Sequence, residues 1–153
     1  MGRKAFLTEE TKWLSSLYSN KKYKLNKQDG FKNITKEEFL DWFDKEEYNK
    51  GCCYCGTTHE TSKLIFDFQT ITKGRIDATR GKKRMHRLEL ERKNPIESYD
   101  NLENLAWACH WCNNAKSNFF TVDEFQPIIS TAIRTVLDDI INKIEEISKK
   151  NKK

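Results

Sequence analysis

The sequence predicts an α+β protein, and three observations predict it. Helix-start signals with helical spacing lie near both ends, short apolar or alternating segments lie in the middle, and two C-x-x-C pairs bracket those segments. At 153 residues the chain suits one domain with its own core and is too short for two of full size. Residues 1–50 read as a helical N-terminal part, 51–120 as the core, and 121–153 as a helical C-terminal part.

The elements follow in order. Thr8 opens a helix carrying Trp13, Leu14, Leu17 and Tyr18, which fades into the polar link NKKYKLNKQDG. After a turn at Asp29-Gly30, Thr35 and Glu38 form a capping box, the Thr side chain capping the helix while the Glu reaches back. The helix they open, KEEFLDWFDKEEY, places Phe39, Leu40 and Phe43 on one side and runs to the first cysteines. LIFDFQTIT, at 64–72, is apolar and β-branched and reads as a strand. MHRLELE, at 85–91, alternates Leu88 and Leu90 with Glu89 and Glu91, which gives a strand with two carboxylates on one face. A loop with Pro95 leads to LAWAC, the partner strand of a hairpin, and the second cysteine pair opens the next helix. Thr121 and Glu124 form another capping box. Beyond it Ile129, Ile133, Val136, Leu137, Ile140, Ile141, Ile144 and Ile147 recur at spacings of three and four, with Pro127 interrupting the start. Core packing is the first reading of such a stripe, and a dimer-forming helix the second.

Lys and Arg outnumber Asp and Glu by 28 to 23, a net charge of +5 that suits an acidic polymer as partner. The distribution says more. Lys73, Arg75, Arg80, Lys82, Lys83, Arg84, Arg87, Arg92 and Lys93 fall in one stretch, which reads either as a phosphate-binding surface or as a solvated loop. No apolar run reaches the roughly 20 residues of a membrane span, and the N-terminus lacks the apolar core of a secretion signal. A cytoplasmic location is expected. In that compartment five cysteines point to metal rather than to disulfides.

Cys52 and Cys55, and Cys109 and Cys112, each form a knuckle able to present two thiolates to a shared tetrahedral ion. Together they predict one structural Zn2+ with a closed four-sulfur shell. Cys53 is left over by spacing, although it is close enough to substitute for Cys52. The 53 residues from 56 to 108 that separate the knuckles exceed the roughly 15–20 of a simple zinc ribbon. The basic run and the Glu-bearing strand lie in that insert.

Taken together, C52CYC55, L88ELER92, N104LAWAC109 and C109HWCNNAK116 resemble the zinc-containing HNH (ββα-metal) endonucleases over roughly residues 52–120. The resemblance implies a ββα-metal core and a second, divalent cofactor, Mg2+ or Mn2+. It also implies that Glu91 and Asn113 coordinate this metal, that Asn104 orients its neighbours, and that Lys116 contacts phosphate. A hard cation held by a few protein oxygens keeps its other positions for water and phosphate, which suits that chemistry. Two positions depart from the family. Glu91 stands where Asp is common, so Glu89 on the same strand face is able to share the metal. Arg92 stands where the general base is usually His, and a guanidinium cannot be deprotonated in a protein. CCYCG, LER and CNNAKSNFFT resemble blocks of an unusual restriction enzyme of the family, which also has Arg at this place and uses a tyrosine near the first knuckle. By that resemblance Tyr54 is the candidate base and Arg92 a phosphate ligand, with the Tyr54 pKa needing to be lowered. His110 is a rival base, being close in sequence to Asn113. His86 is set aside because it shares a face with Leu88 and Leu90, and His59 lies in a polar turn.

The expected function is therefore metal-dependent hydrolysis of double-stranded DNA, in a restriction or phage-borne defence role and in a bacterial or phage-encoded setting. Arg75, Arg80, Lys82, Lys83, Arg84 and Arg87 would hold the backbone, and a homodimer would suit a palindromic site. The alternatives are a zinc-stabilised nucleic-acid-binding module whose catalytic site has decayed, for which Arg92 is the best evidence, and a zinc-bearing protein-interaction adaptor.

Overall fold

The computed structural model describes residues 8–24, 29–72 and 86–151. Its first helix, α1, spans Glu9–Ser19 behind the Thr8 cap, whose side chain accepts from the Thr11 N–H, and passes into a π-type turn over Asn20–Lys24. The expected capping box of Thr35 and Glu38 is present and opens α2, Lys36–Trp42. The single helix expected from 36 to 48 is two helices. Phe43 turns extended, and Asp44 caps a second start, α3, at Lys45–Asn49, by accepting from the Glu46 and Glu47 N–H groups.

The strand expected at 64–72 is also corrected. Residues His59–Asp67 form a helix, α4, capped by Thr58, and Phe68–Thr72 continue it as a π-type turn. Ser62 and Ile65, one turn apart, are its buried positions. The hairpin is present: β1, Glu89–Arg92, pairs antiparallel with β2, Leu105–Ala108, so that Glu89 stands opposite Ala108 and Glu91 opposite Ala106. β1 starts later than the alternation suggested, and His86 precedes it. Helix α5, His110–Lys116, follows, with Cys109 as its N-cap. The second capping box, Thr121 with Glu124, opens α6, Val122–Phe125, and α7 covers Thr131–Lys150 after a π-type turn at Gln126–Ser130 that contains Pro127.

The core is largely aromatic and lies between α1, α2, α3 and the hairpin. Trp107 of β2 meets Trp13, Trp42, Phe43 and Tyr48 at ring separations of 5.2–5.8 Å. The C-terminal stripe is mainly core. Leu137 is buried with Ile65 of α4, Ile129 and Ile133 pack on the main core, and Val136 and Ile147 face outward. Asp100 ties the N-terminal helices to the hairpin loop: it accepts from the backbone N–H groups of Lys32, Asn33 and Ile34 at 2.8–3.0 Å. Among the described residues no helix is long and apolar enough to cross a membrane.

Candidate metal and active site

The first knuckle is shaped by two glycines. Gly51 has φ +97°, and a Cβ there would lie 2.6 Å from the Gly56 carbonyl oxygen; Gly56 has φ +72°. These turns let Cys52 N–H donate to Thr57 O at 2.9 Å, Gly56 N–H to Cys52 O at 2.8 Å, and Cys53 N–H to Trp107 O at 2.8 Å, which fixes the loop to β2. The second knuckle is the start of α5, where Cys109 Sγ accepts from the Cys112 N–H at 3.4 Å. The Sγ atoms of Cys52, Cys55, Cys109 and Cys112 all lie within 4.8 Å of one another, with Cys55 and Cys109 3.6 Å apart. A tetrahedral ion with metal–sulfur bonds of about 2.3 Å sets its sulfurs roughly 3.8 Å apart, so these residues fit one metal ion. Hydrogen bonding among the four pushes the Cys52 and Cys55 thiols down and those of Cys109 and Cys112 up, as follows when sulfurs are packed closely enough to share protons. Cys53 stays outside this set and is exposed.

The metal site positions α5 against β1, and two different clusters form along the carboxylate face. In the first, Glu91 is buried and its Oε1 accepts from Lys116 Nζ at 2.9 Å and from the Tyr54 hydroxyl at 3.3 Å. Lys116 is 0% exposed and also donates to the Arg92 carbonyl at 3.0 Å. Lys116, expected from the resemblance to contact phosphate, thus has its ammonium enclosed against its own carboxylate. Burial pushes the Glu91 carboxyl up, and Lys116 pulls it back. Burial, followed by the nearby Glu91 charge, pushes the Tyr54 hydroxyl up as well, opposite to the lowering that a free base would need.

In the second cluster Glu89 Oε2 accepts from the Asn113 side-chain amide, and Oε1 lies 3.3 Å from His110 Nδ1. The amide of Asn114 reaches the same imidazole nitrogen at 3.0 Å. Asn113 thus bonds to Glu89, and it shares with Glu91 and Arg92 the lining of a small polar cavity of about 250 Å³. Arg92 is held over the Tyr99 ring at 4.9 Å and donates to Glu97 O at 3.1 Å and to Asn118 Oδ1 at 2.9 Å, with Asp29 3.6 Å away. Asn104 is buried and clips the hairpin loop: its Oδ1 accepts from the Asn94 N–H at 2.8 Å and its amide donates to Asn94 O at 3.1 Å.

The remaining candidates divide. Lys73, Arg75, Arg80, Lys82, Lys83 and Arg84 lie outside the described residues. Arg87 stacks on the Trp13 ring at 4.7 Å. His59 packs on Tyr48, and His86 on Phe66 near Asp67, at the edge of a cavity that Glu89 and Asn113 also line. Sequence reasoning missed the Glu89–His110–Asn113 contact and the Tyr99, Asn118 and Glu97 setting of Arg92. The first had a signal, because His110 and Asn113 are one helical turn apart and Glu89 precedes Glu91 by two; the second had none.

No family model matches the chain, and no curated protein matches it significantly. Among solved structures it is similar to the rare-cutting HNH restriction endonuclease PacI, with a TM-score of 0.58 and 24% identity over 80% of this chain and 78% of that one. PacI is also the unusual enzyme whose sequence blocks CCYCG, LER and CNNAKSNFFT resemble. The likeness establishes the fold: this is an α+β chain with an HNH-type ββα core, whose two cysteine knuckles are placed to hold one metal ion.

Proposed function

We propose that the protein is a divalent-metal-dependent endonuclease that hydrolyses phosphodiester bonds in double-stranded DNA, with Zn2+ in its four-cysteine site and a restriction or phage-borne defence role. The observation that carries this reading is the convergence of Glu91 of β1, Asn113 of α5 and Arg92 around one polar cavity on an HNH fold, with Glu89 bonded to the same Asn113. A Mg2+ or Mn2+ ion bound at this face supplies Lewis-acid polarisation of the phosphate and stabilises the leaving oxygen.

The chain's own groups supply the rest. Arg92 has five donors in a planar fork, two of them engaged by Glu97 and Asn118, and binds the scissile phosphate with the others. Tyr54 directs its hydroxyl proton at Glu91 Oε1, which gives that proton an acceptor when the phenol acts on water. Asn104 keeps the hairpin loop closed beneath the site. The basic stretch from Arg75 to Arg87 holds the DNA backbone.

A second reading is favoured by two features: Arg92 stands where the usual base would be, and burial with the nearby Glu91 charge pushes the Tyr54 hydroxyl pKa up, away from the base form. In that reading the protein binds nucleic acid without cutting it. Incubation of the zinc-loaded protein with supercoiled and linear DNA, with and without Mg2+ or Mn2+, separates the two. Metal-dependent cutting is expected, reduced about 100-fold or more by Arg92→Ala and by Asn113→Ala, the scale of losing one charge-stabilising group. Loss in Tyr54→Phe assigns the tyrosine to the chemistry. Binding without cutting under every metal removes the enzyme and leaves the binding module.

A further inference from the structure

We propose that the divalent cation is held by Glu89, His110 and Asn113, with Glu91 serving as a positioning residue instead of a ligand. The inference rests on the nuclease reading for the cation's purpose and on the two clusters for its place.

The donor atoms already converge. Glu89 Oε1 lies 3.3 Å from His110 Nδ1, and Glu89 Oε2 meets the Asn113 side-chain amide, so three side chains from β1 and α5 point at one another. Rotating the Asn113 amide by a half-turn exchanges its nitrogen for its oxygen at the same place. That oxygen would repel Glu89 across empty space, but it becomes a ligand once a cation stands between them. His110 in its Nε2–H tautomer offers a lone pair at Nδ1, which faces both Glu89 Oε1 and the Asn114 amide, and the cation takes that lone pair in place of the Asn114 contact. The His110 and Glu89 side chains are 9% and 14% exposed, so the three sit in a largely desolvated corner. Glu89 and Asn113 also line a cavity of about 730 Å³, which leaves room for the waters and phosphate that complete a divalent shell.

Glu91 does not fit the role. Its Oε1 already accepts from a fully buried ammonium and a buried phenol. A divalent ion bound there would place two positive charges beside Lys116 or strip that ammonium of its carboxylate, and either is unfavourable where water cannot screen it. Lys116 is thus the resident cation of Glu91, and Glu91 in turn fixes Tyr54 and the end of β1. An imidazole nitrogen among oxygen donors also sets the metal preference, toward Mn2+ over Mg2+ and Ca2+.

The test is Mn2+ binding to the zinc-loaded protein, read by loss of the free-ion electron paramagnetic resonance signal, with DNA cleavage measured separately. One site per chain is expected, weakened at least about tenfold in Glu89→Gln and in His110→Gln, since even outer-shell partners are typically worth that much, and within threefold of wild type in Glu91→Gln. Spin-echo modulation from a ligating imidazole nitrogen is expected in the wild type and absent in His110→Gln, which tests ligation even where the Glu91 variant folds poorly. Loss of binding in Glu91→Gln with retention in Glu89→Gln overturns the assignment, as does an echo without nitrogen modulation or a wild type that binds no Mn2+. Binding with the expected ligand dependence but no cleavage supports this site and sinks the nuclease reading, whereas cleavage at the wild-type rate by Glu89→Gln does the reverse.

Discussion

Lys116 illustrates how much depends on one side chain. Its ammonium is fully enclosed, and its partner Glu91 has a side chain only 6% exposed. Replacing the ammonium by a thioether leaves a buried carboxylate without a counter-ion, so Lys116→Met is expected to destabilise the zinc-loaded protein by about 3–5 kcal/mol in denaturant titration. Adding Glu91→Gln removes the stranded charge, and most of that loss should return; a double variant as unstable as the single one would mean that packing, not charge, holds the pair. The knuckle glycines give a second comparison at this scale. Gly51 and Gly56 both have positive φ, but a Cβ meets backbone at 2.6 Å in the first and only the Arg134 side chain, at 3.8 Å, in the second. Gly51→Ala is expected to cost roughly 2 kcal/mol or more and Gly56→Ala about 1 kcal/mol, measured the same way.

Among the elements, the loop that carries Asp100 joins what the chain separates. Its carboxylate is partly desolvated, yet the backbone N–H groups of Ile34, Asn33 and Lys32 hold its pKa below the usual aspartate value. A group whose pKa is lower folded than unfolded contributes stability that is fully present above the unfolded value and is lost as pH falls through the folded one. Stability should therefore begin to decline near pH 4 and continue downward, and Asp100→Asn should flatten that decline while lowering stability at pH 7 by about 1–3 kcal/mol, the worth of charge-assisted hydrogen bonds. The elements also differ in how far the sequence revealed them. Caps were legible because Thr8, Thr35 and Thr121 satisfy N–H groups of their own first turns, a local matter. The knuckle spacing and the hairpin were legible for the same reason. LIFDFQTIT misled because an apolar, β-branched run does not distinguish a strand from a buried helix, and the deciding signal lay upstream in Thr58 and the Ser62–Ile65 turn. Asp44 split a helix by offering a second cap inside a pattern that looked continuous. The pairing of Glu91 with Lys116 depends on how α5 lies across β1, which no local spacing encodes, whereas the one-turn spacing of His110 and Asn113 gave the Glu89 cluster a partial signal.

At the scale of the whole molecule, one four-cysteine site and one charge distribution organise the rest. The knuckles join residues 52–57 to the start of α5, and α7 braces them from behind, Arg134 donating to Cys55 O at 3.2 Å and Ser130 to Tyr54 O at 3.3 Å. Structural zinc binds with apparent free energies of roughly 10–16 kcal/mol in small peptides, comparable to the entire stability of a domain, so chelation should release one Zn2+ per chain and collapse the thermal transition. A folded apo form with an unchanged transition would show that the aromatic core suffices alone. The charge distribution makes its own demand. The net charge of +5 is small, and the excess is concentrated in residues 73–93, so DNA affinity should depend on that stretch far more than the total charge suggests. Each phosphate contact releases counterions and contributes about 0.9 to the slope of log affinity against log salt. Replacing Arg75, Arg80, Lys82, Lys83 and Arg84 together by Gln should lower that slope by up to about 4, with little change in thermal stability. A slope unchanged by all five would make the stretch a solvated loop and move the DNA-binding surface elsewhere. No salt-dependent affinity in the wild type would leave only the adaptor, because a protein without phosphate contacts has no counterions to release.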